Sequence, residues 1–515
     1  MDTEKKPSIA GRLGTSGSRS LWARKSFDAS AVEAGPRLKR TLGAVDLIAF
    51  GVGCTVGAGI FSLTGEVAAH QAGPAVSLSF VLAAIACFFA GLCYAEFAAM
   101  VPVAGSAYSY SYATLGEIVA WIIGWSLILE WLFSVSVVAI SWSGYVASAL
   151  AEWGIALPAE LARAPLGVDA HNHVVVTGGW IDLPAVAVVL ACTTLAAIGT
   201  RTSALVNTAI VIVKVAALMV LVVVGAAFVD SSNWHPFVPP NSGEFGSFGW
   251  SGVFRGAGIL FFAFIGFDGV STLAEDVRNP QRTLPLSLFV SLAIVTIVYV
   301  SVSVVVTGLA SYGSLAVPDP LYTALNAPGS PTGVLRAVRA LIAVVAVVGL
   351  VSVILACIIG QVRIFFAMAR DGLLPAALGK VNARTNTPVA ATLLTGALAA
   401  ALAGVFPLGL LGELVSIGTL LAFAIVCGGI LILRRIAPAA HRPFRTPWVP
   451  FVPIAGVVSC TVLMLSLPAS TWIRMVVWTA LGLLVYAFYG RRHSKLRADS
   501  GTAAAPTRYE GVVTP

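Results

Sequence analysis

Long apolar stretches alternate with short polar ones along almost the whole chain. Runs long enough to cross a lipid bilayer, which takes about 20 residues, are read at roughly 44–68, 75–101, 116–148, 180–198, 203–228, 252–275, 285–311, 334–368, 388–406, 409–433, 450–467 and 472–490. The pattern predicts twelve helices, all α, in one membrane domain over 41–491. Pro184, Pro285, Pro388 and Pro450 stand near the predicted starts of four of them. A first-turn proline suits a helix, because its missing N–H has no partner there anyway.

Composition agrees. The 515 residues are 58% hydrophobic and only 10% charged, against about 25% charged in soluble domains. Such a chain cannot cover a water-facing surface, so most of it must meet lipid. The net charge is +8, and the basic residues lie in short loops and tails rather than in a stripe. If the first helix leaves from the cytoplasm, twenty-five of the thirty-one Lys and Arg fall on that side and five on the other, with Lys214 in mid-span. That bias predicts both termini in the cytoplasm of a plasma-membrane protein, and nucleic-acid binding has little support. The polar segments 1–40 and 492–515 read as disordered cytoplasmic tails. No cleavable signal peptide is evident.

The seven cysteines all sit in apolar stretches without a CxxC or metal-ligand spacing, so they read as packing residues. Asp169, His171 and His173 share the largest outer loop, about 151–179; a solvated loop is a better reading there than a metal site. No phosphate-binding loop, channel filter or voltage-sensor arginine ladder is present, nor any hydrolase or metalloprotease motif. These absences argue against a transport ATPase, a channel and an enzyme, and no cofactor is implied.

The first span contains Gly51-Val-Gly-Cys-Thr-Val-Gly-Ala-Gly59-Ile60. Its glycines weaken a helix by about 1 kcal/mol each. Close packing through Gly53-xxx-Gly57 and a broken helix with exposed N–H and C=O groups are both open readings of this segment alone. The sixth span repeats the theme in Gly256-Ala-Gly258-Ile-Leu-Phe261-Phe262-Ala263-Phe264-Ile265-Gly266-Phe267-Asp268-Gly269. Interruptions five helices apart point to two inverted five-helix repeats with a binding site between them. The expected architecture is a leucine-transporter-like fold, with repeats at about 44–228 and 252–433 and two appended helices at about 450–490.

Two ionisable residues lie deep in the apolar runs. Lys214 is about eleven residues from either end of its span, where a lysine costs about 2.5–3.5 kcal/mol on insertion scales. Burial disfavours its charged form, so it suits a residue that loads and releases a proton. A permanent cation in place of a bound sodium, or a lysine tied to backbone carbonyls, are the other readings. Glu130 stands mid-span in the third helix as a counter-charge to Lys214, a partner for a cationic substrate group, or a hydrogen-bonded core acid. Asp46, Glu96, Glu275 and Asp276 lie near inner helix ends, where they either gate the cytoplasmic side with Lys39, Arg40, Arg278 or Arg282 or form ordinary interfacial ion pairs.

Together, Gly51–Ile60, Val101-Pro-Val-Ala-Gly-Ser-Ala-Tyr108, Gly124-Trp-Ser-Leu-Ile-Leu-Glu130, Phe264-Ile-Gly-Phe-Asp268, Glu275-Asp-Val-Arg-Asn-Pro-Gln-Arg282 and Arg370-Asp-Gly-Leu-Leu-Pro375 resemble the cationic amino acid transporter family of the amino acid–polyamine–organocation superfamily, in its bacterial, twelve-helix form. The resemblance covers roughly 36–490. It implies a permease for cationic or neutral L-amino acids. Thr55, Val56, Gly57, Ala58, Gly59 and Ile60 on the first helix, Phe262, Ala263 and Ile265 on the sixth, and Glu130 would form the substrate site. Lys214 would occupy the position of a lysine that replaces sodium, giving sodium-independent, proton-linked uptake together with Glu130. One side chain of the eighth helix would tune selectivity. An exchanger without proton coupling, or a non-transporting amino acid sensor, is the alternative. The partners expected are the amino acid, protons and membrane lipid.

Overall fold

A computed structural model describes residues 43–100, 106–168, 174–199, 204–267, 269–270, 277–326, 333–382, 384–385, 387–436, 438 and 442–495. Among them the chain is almost entirely helical. Helix α1 (Ala44–Thr55) is followed, after a short interruption, by α2 (59–72), which includes two π-turns, Gly59–Leu63 and Ala68–Ala72. The chain turns at Gly73-Pro74 into α3 (Val76–Met100). Then come a short helix α4 (Ser106–Thr114), the long α5 (Glu117–Glu152), α6 (Leu183–Ile198) and α7 (Ala204–Gly225). In the second half, α8 (Gly249–Leu260) ends in a 3₁₀ turn, Phe261–Phe264, and precedes α9 (Pro280–Leu309), a short α10 (Pro320–Ala324) and α11 (Val334–Arg370). The series closes with α12 (Val389–Val405), α13 (Leu408–Ile436), α14 (Phe451–Ser466) and α15 (Ala469–Val485).

Seven helical stretches are long and apolar enough to cross a membrane, the first being 44–100, which folds back on itself; α6, α8, α12 and α14 are shorter and equally apolar. Their outer surfaces carry Val223, Ile297, Val344, Leu465, Val476 and Phe488, each more than 60% exposed. A ring of large aliphatic side chains this open suits lipid, not water. The interior is organised around α5, which packs against α11 and α13, while α1 packs against α9 and α7.

The prolines fall nearly as the sequence suggests. Pro184 is in the first turn of α6, and Pro388 and Pro450 stand just before α12 and α14. Pro285 is different: α9 begins earlier, with Pro280 in its first turn, so Pro285 lies inside the helix. The outer loop forms a small antiparallel hairpin, β1 (Leu166–Val168) with β2 (Val174–Val176), which the loop composition did not announce. Asp169, His171 and His173, as well as Asp268, Glu275 and Asp276, lie outside the described residues, as do 1–42 and 496–515. Ordered chain continues to Lys495: Ser494 Oγ donates to the Glu117 carboxylate at 2.5 Å, and Lys495 N–H donates to Asp371 O at 3.2 Å.

Candidate functional site

Helix α1 stops because Val56 leaves the helical region (φ −74°, ψ 85°) after one last bond, Val56 N–H to Val52 O at 2.8 Å. The next helix starts at Gly59. Phe61 N–H still reaches back to Gly57 O at 3.3 Å, but the N–H groups before it have no helical carbonyl behind them, and the last carbonyls of α1 have no helical N–H ahead. Polar backbone ends buried in an apolar core must find other partners. The carbonyls do. Lys214 Nζ, from α7, donates to Gly53 O at 2.9 Å and to Val56 O at 3.0 Å. The hydroxyl of Tyr299, from α9, lies 2.7 Å from Thr55 O.

Helix α8 breaks at the matching place. Its 3₁₀ turn ends at Phe264, Ile265 is extended (φ −62°, ψ 140°) and Gly266 has φ +103°. A side chain at 266 would be strained by that φ, and its Cβ would stand 2.9 Å from Cys54 Cβ. Gly59 is required for a different reason: a Cβ there would collide with Ala263, so the two breaks touch backbone to backbone. Tyr299 joins them, because its hydroxyl is also 2.9 Å from Ala263 O. Ser416 of α13 steadies the end of α8, accepting from Phe262 N–H at 3.2 Å and donating to Ile259 O at 2.8 Å.

A buried cavity lies between the breaks. It is lined by Thr55, Gly57, Ala58 and Gly59 with Phe262 and Ile265, six of the residues expected to meet substrate. Val56, Ile60 and Ala263 are buried but do not line it. Glu130 and Lys214 do not line it either. Glu130 is fully buried, and its Oε2 accepts from Thr419 Oγ1 at 2.9 Å. Lys214 bonds to the carbonyls of α1 and not to Glu130, so the direct pairing of these two charges is not formed. The remaining wall is Cys54, Gly266, three side chains of α5 (Trp131, Ser134, Val138) and two of α11 (Val353, Cys357). None of these seven was among the residues expected to meet substrate, although Gly266 was one of the glycines that marked the sixth-span interruption. Their spacings, i, i+3, i+7 and i, i+4, define one face of each helix, but on helices apolar all round a face is not visible as a pattern. The cavity has room for about one or two waters.

Of the acids expected near helix ends, Glu96 is ion-paired and Asp46 is a capping group. Glu96 accepts from Arg434 (3.0 and 2.8 Å), from Arg442 Nε (3.1 Å) and from Thr446 N–H (2.8 Å). Its partners are therefore on α13 and the loop after it, not Arg278 or Arg282. Asp46 caps α1 by accepting from Gly43 N–H at 2.9 Å.

Long apolar helices, one of them interrupted at Val56–Ala58 against the irregular end of another, around a cavity with no charged lining residue among those described, are the marks of a helical membrane permease. The chain belongs to the amino acid permease family, whose model matches residues 42–488. It is 42% identical over 478 residues to the methylthioribose transporter of Bacillus subtilis, covering 93% of this chain and 99% of that relative. It is also 42% identical over 480 residues to the branched-chain amino acid permease BcaP of the same organism, with the same coverage. The vacuolar cationic amino acid transporter 4 of Arabidopsis thaliana is 32% identical over 582 residues, with 89% and 93% covered. The resemblance to the cationic amino acid transporters thus holds along nearly the whole chain, and these relatives are transporters, not enzymes.

Proposed function

We propose that this chain is a secondary transporter that carries neutral amino acids with apolar side chains across the plasma membrane, driven by protons and independent of sodium. In this reading twelve helices cross the bilayer with both termini in the cytoplasm. The segments α1–α2, α3, α5, α6 and α7 form one repeat, and α8, α9, α11, α12 and α13 an inverted second. Helices α14 and α15 are appended. The adjacent breaks in the first helix of each half support this arrangement.

The observation that carries the substrate reading is the uncharged lining of the cavity. Trp131, Val138, Ile265 and Val353 offer apolar contact, and among the described residues no lining side chain is acidic. A lysine or arginine side chain would enter without a counter-charge, which is costly in a dry site. The common part of every amino acid, in contrast, finds complements. The free N–H groups at Ala58, Gly59 and Ile60 suit the carboxylate, helped by the positive end of α2. Carbonyls near Thr55 and Phe262 suit the ammonium group. The hydroxyl of Ser134 faces the site without a hydrogen-bond partner among the described residues.

Coupling falls to Lys214. Charged, it holds the negative end of the α1 dipole at Gly53 and Val56. Without its proton that hold weakens, and α1 is freed to move against α2.

A second reading takes a specific support from the relative named methylthioribose transporter, whose named cargo is also neutral. Both are tested by uptake into sodium-free proteoliposomes with an imposed pH gradient. Radiolabelled leucine is competed with valine, alanine, lysine, arginine and methylthioribose. Saturable leucine uptake, blocked by valine and not by lysine, is expected. Competition by methylthioribose alone favours the second reading, and no saturable uptake of any amino acid sinks the first. Uptake that needs internal amino acid and ignores pH would instead mark an exchanger.

A further inference from the structure

Beyond the cavity, α11 carries a polar side chain that the site does not use. Gln361 is fully buried, and among the described residues neither its Oε1 nor its Nε2 has a hydrogen-bond partner. It follows cavity-lining Cys357 by four residues and Val353 by eight. At about 100° per residue these offsets are about 40° and 80°, so Gln361 shares their face. The residue before it, Gly360, lies against the ring of Trp131: a Cβ there would be 2.6 Å from that ring. Since Trp131 also lines the cavity, Gln361 stands beside the cavity floor. It is about 6 Å along the helix from Cys357, toward the end where Asp371 meets Lys495. In the proposed orientation that end is cytoplasmic.

A buried amide with no partner is disfavoured, and nearly all buried polar groups in proteins are bonded. Methionine or leucine would fill the same space without that penalty. An amide also has a particular complementarity: its N–H₂ donates to a carboxylate and its C=O accepts from an ammonium group. We infer that Gln361 is a transient contact for the departing amino acid, a polar step between the main site and the cytoplasm that is engaged when α1 moves away from α11, against which it packs. The inference rests on the permease reading above and extends it to the exit path.

The test uses full-length protein oriented in proteoliposomes, with leucine as the probe. KM is measured separately from the external and the internal side for wild type, Gln361→Met and Gln361→Leu, and the melting temperature of each is recorded. The expected result is an internal KM raised about tenfold, the scale of one lost hydrogen bond to a charged group. The external KM stays within twofold, and the melting temperature is not lowered. Unchanged KM on both sides overturns the inference, because the amide then has no transport role. Equal increases on both sides, or two variants that both fail to fold, overturn it as well, because the residue then serves packing. Wild-type vesicles without saturable leucine flux remove the permease reading itself; wild-type flux with unaltered variant kinetics removes only the role of Gln361.

Discussion

Gly349 of α11 and Lys214 of α7 fit as groove and stem: a methyl group at 349 would stand 2.5 Å from Lys214 Cδ and 2.9 Å from its Cγ. The lysine reaches Gly53 O and Val56 O only because nothing occupies that groove. Gly349→Ala should therefore displace the stem and loosen both bonds. Overpacking of this kind costs about 1–3 kcal/mol. Proton-driven leucine uptake should drop about tenfold, and the melting temperature in detergent should fall. Wild-type transport rates in Gly349→Ala would show that the position of Lys214 is not critical.

Lys214→Met removes the ammonium group proposed to carry the proton while keeping a stem of similar length. Accumulation of leucine against its gradient should disappear, while exchange of internal for external leucine persists. Uptake should lose its pH dependence over the range where the wild type responds. Retention of a wild-type pH profile by Lys214→Met would refute the coupling role.

Tyr299→Phe deletes one oxygen and leaves the ring in place. Thr55 O and Ala263 O, which share that hydroxyl at 2.7 and 2.9 Å, would both lose a donor. Leaving buried groups unsatisfied costs about 1–3 kcal/mol. Because these carbonyls belong to the two breaks, KM for leucine should rise about tenfold with a smaller change in turnover. A drop in thermal stability with unchanged KM would place Tyr299 in the scaffold alone.

These three residues show how far the sequence reaches. The glycines of 51–59 and 256–269 marked where the helices break, because glycine cost and spacing are local properties. Lys214 stood out because a charge in an apolar run is visible one residue at a time. Tyr299, Gly349 and Ser416 did not. Each acts through a residue far away in the chain, and nothing in its own neighbourhood separates it from ordinary apolar packing. The same holds for Trp131, Ser134 and Val138: a face can be read from a helix only if its other faces are polar, and in lipid they are not. The reading of Glu96 as an ion-pair partner named the right kind of interaction, whereas Glu130 pairs with a hydroxyl and not with the Lys214 charge; partner choice depends on which helices meet. Here α5 meets α13, giving Glu130 to Thr419, and α3 meets the segment after α13, giving Glu96 to two arginines.

Glu130→Gln is the matching probe of the acid. The neutral amide retains an oxygen to accept from Thr419 Oγ1, now at 2.9 Å from the carboxylate, so folding should survive. If Glu130 takes part in proton movement, proton-driven accumulation should fall at least tenfold while leucine exchange remains. Equal loss of both activities would assign Glu130 to the packing of α5 on α13.

Stability and transport should separate at Glu96. Its carboxylate is fully buried and gathers Arg434, Arg442 and the Thr446 N–H, while the cavity is lined by α1, α2, α5, α8 and α11 residues. Removing one member of a buried ion pair costs about 3–5 kcal/mol, because the remaining charge keeps its desolvation penalty without the attraction that offset it. Glu96→Ala should thus lower the melting temperature sharply. The fraction that remains folded should bind leucine with the wild-type KM, since Arg434, Arg442 and Thr446 do not line the cavity. Glu96→Gln retains the acceptor for Thr446 N–H and should fall between the two. A raised KM in Glu96→Ala, measured at a temperature where the protein stays folded, would mean that the network governs the site as well as the fold.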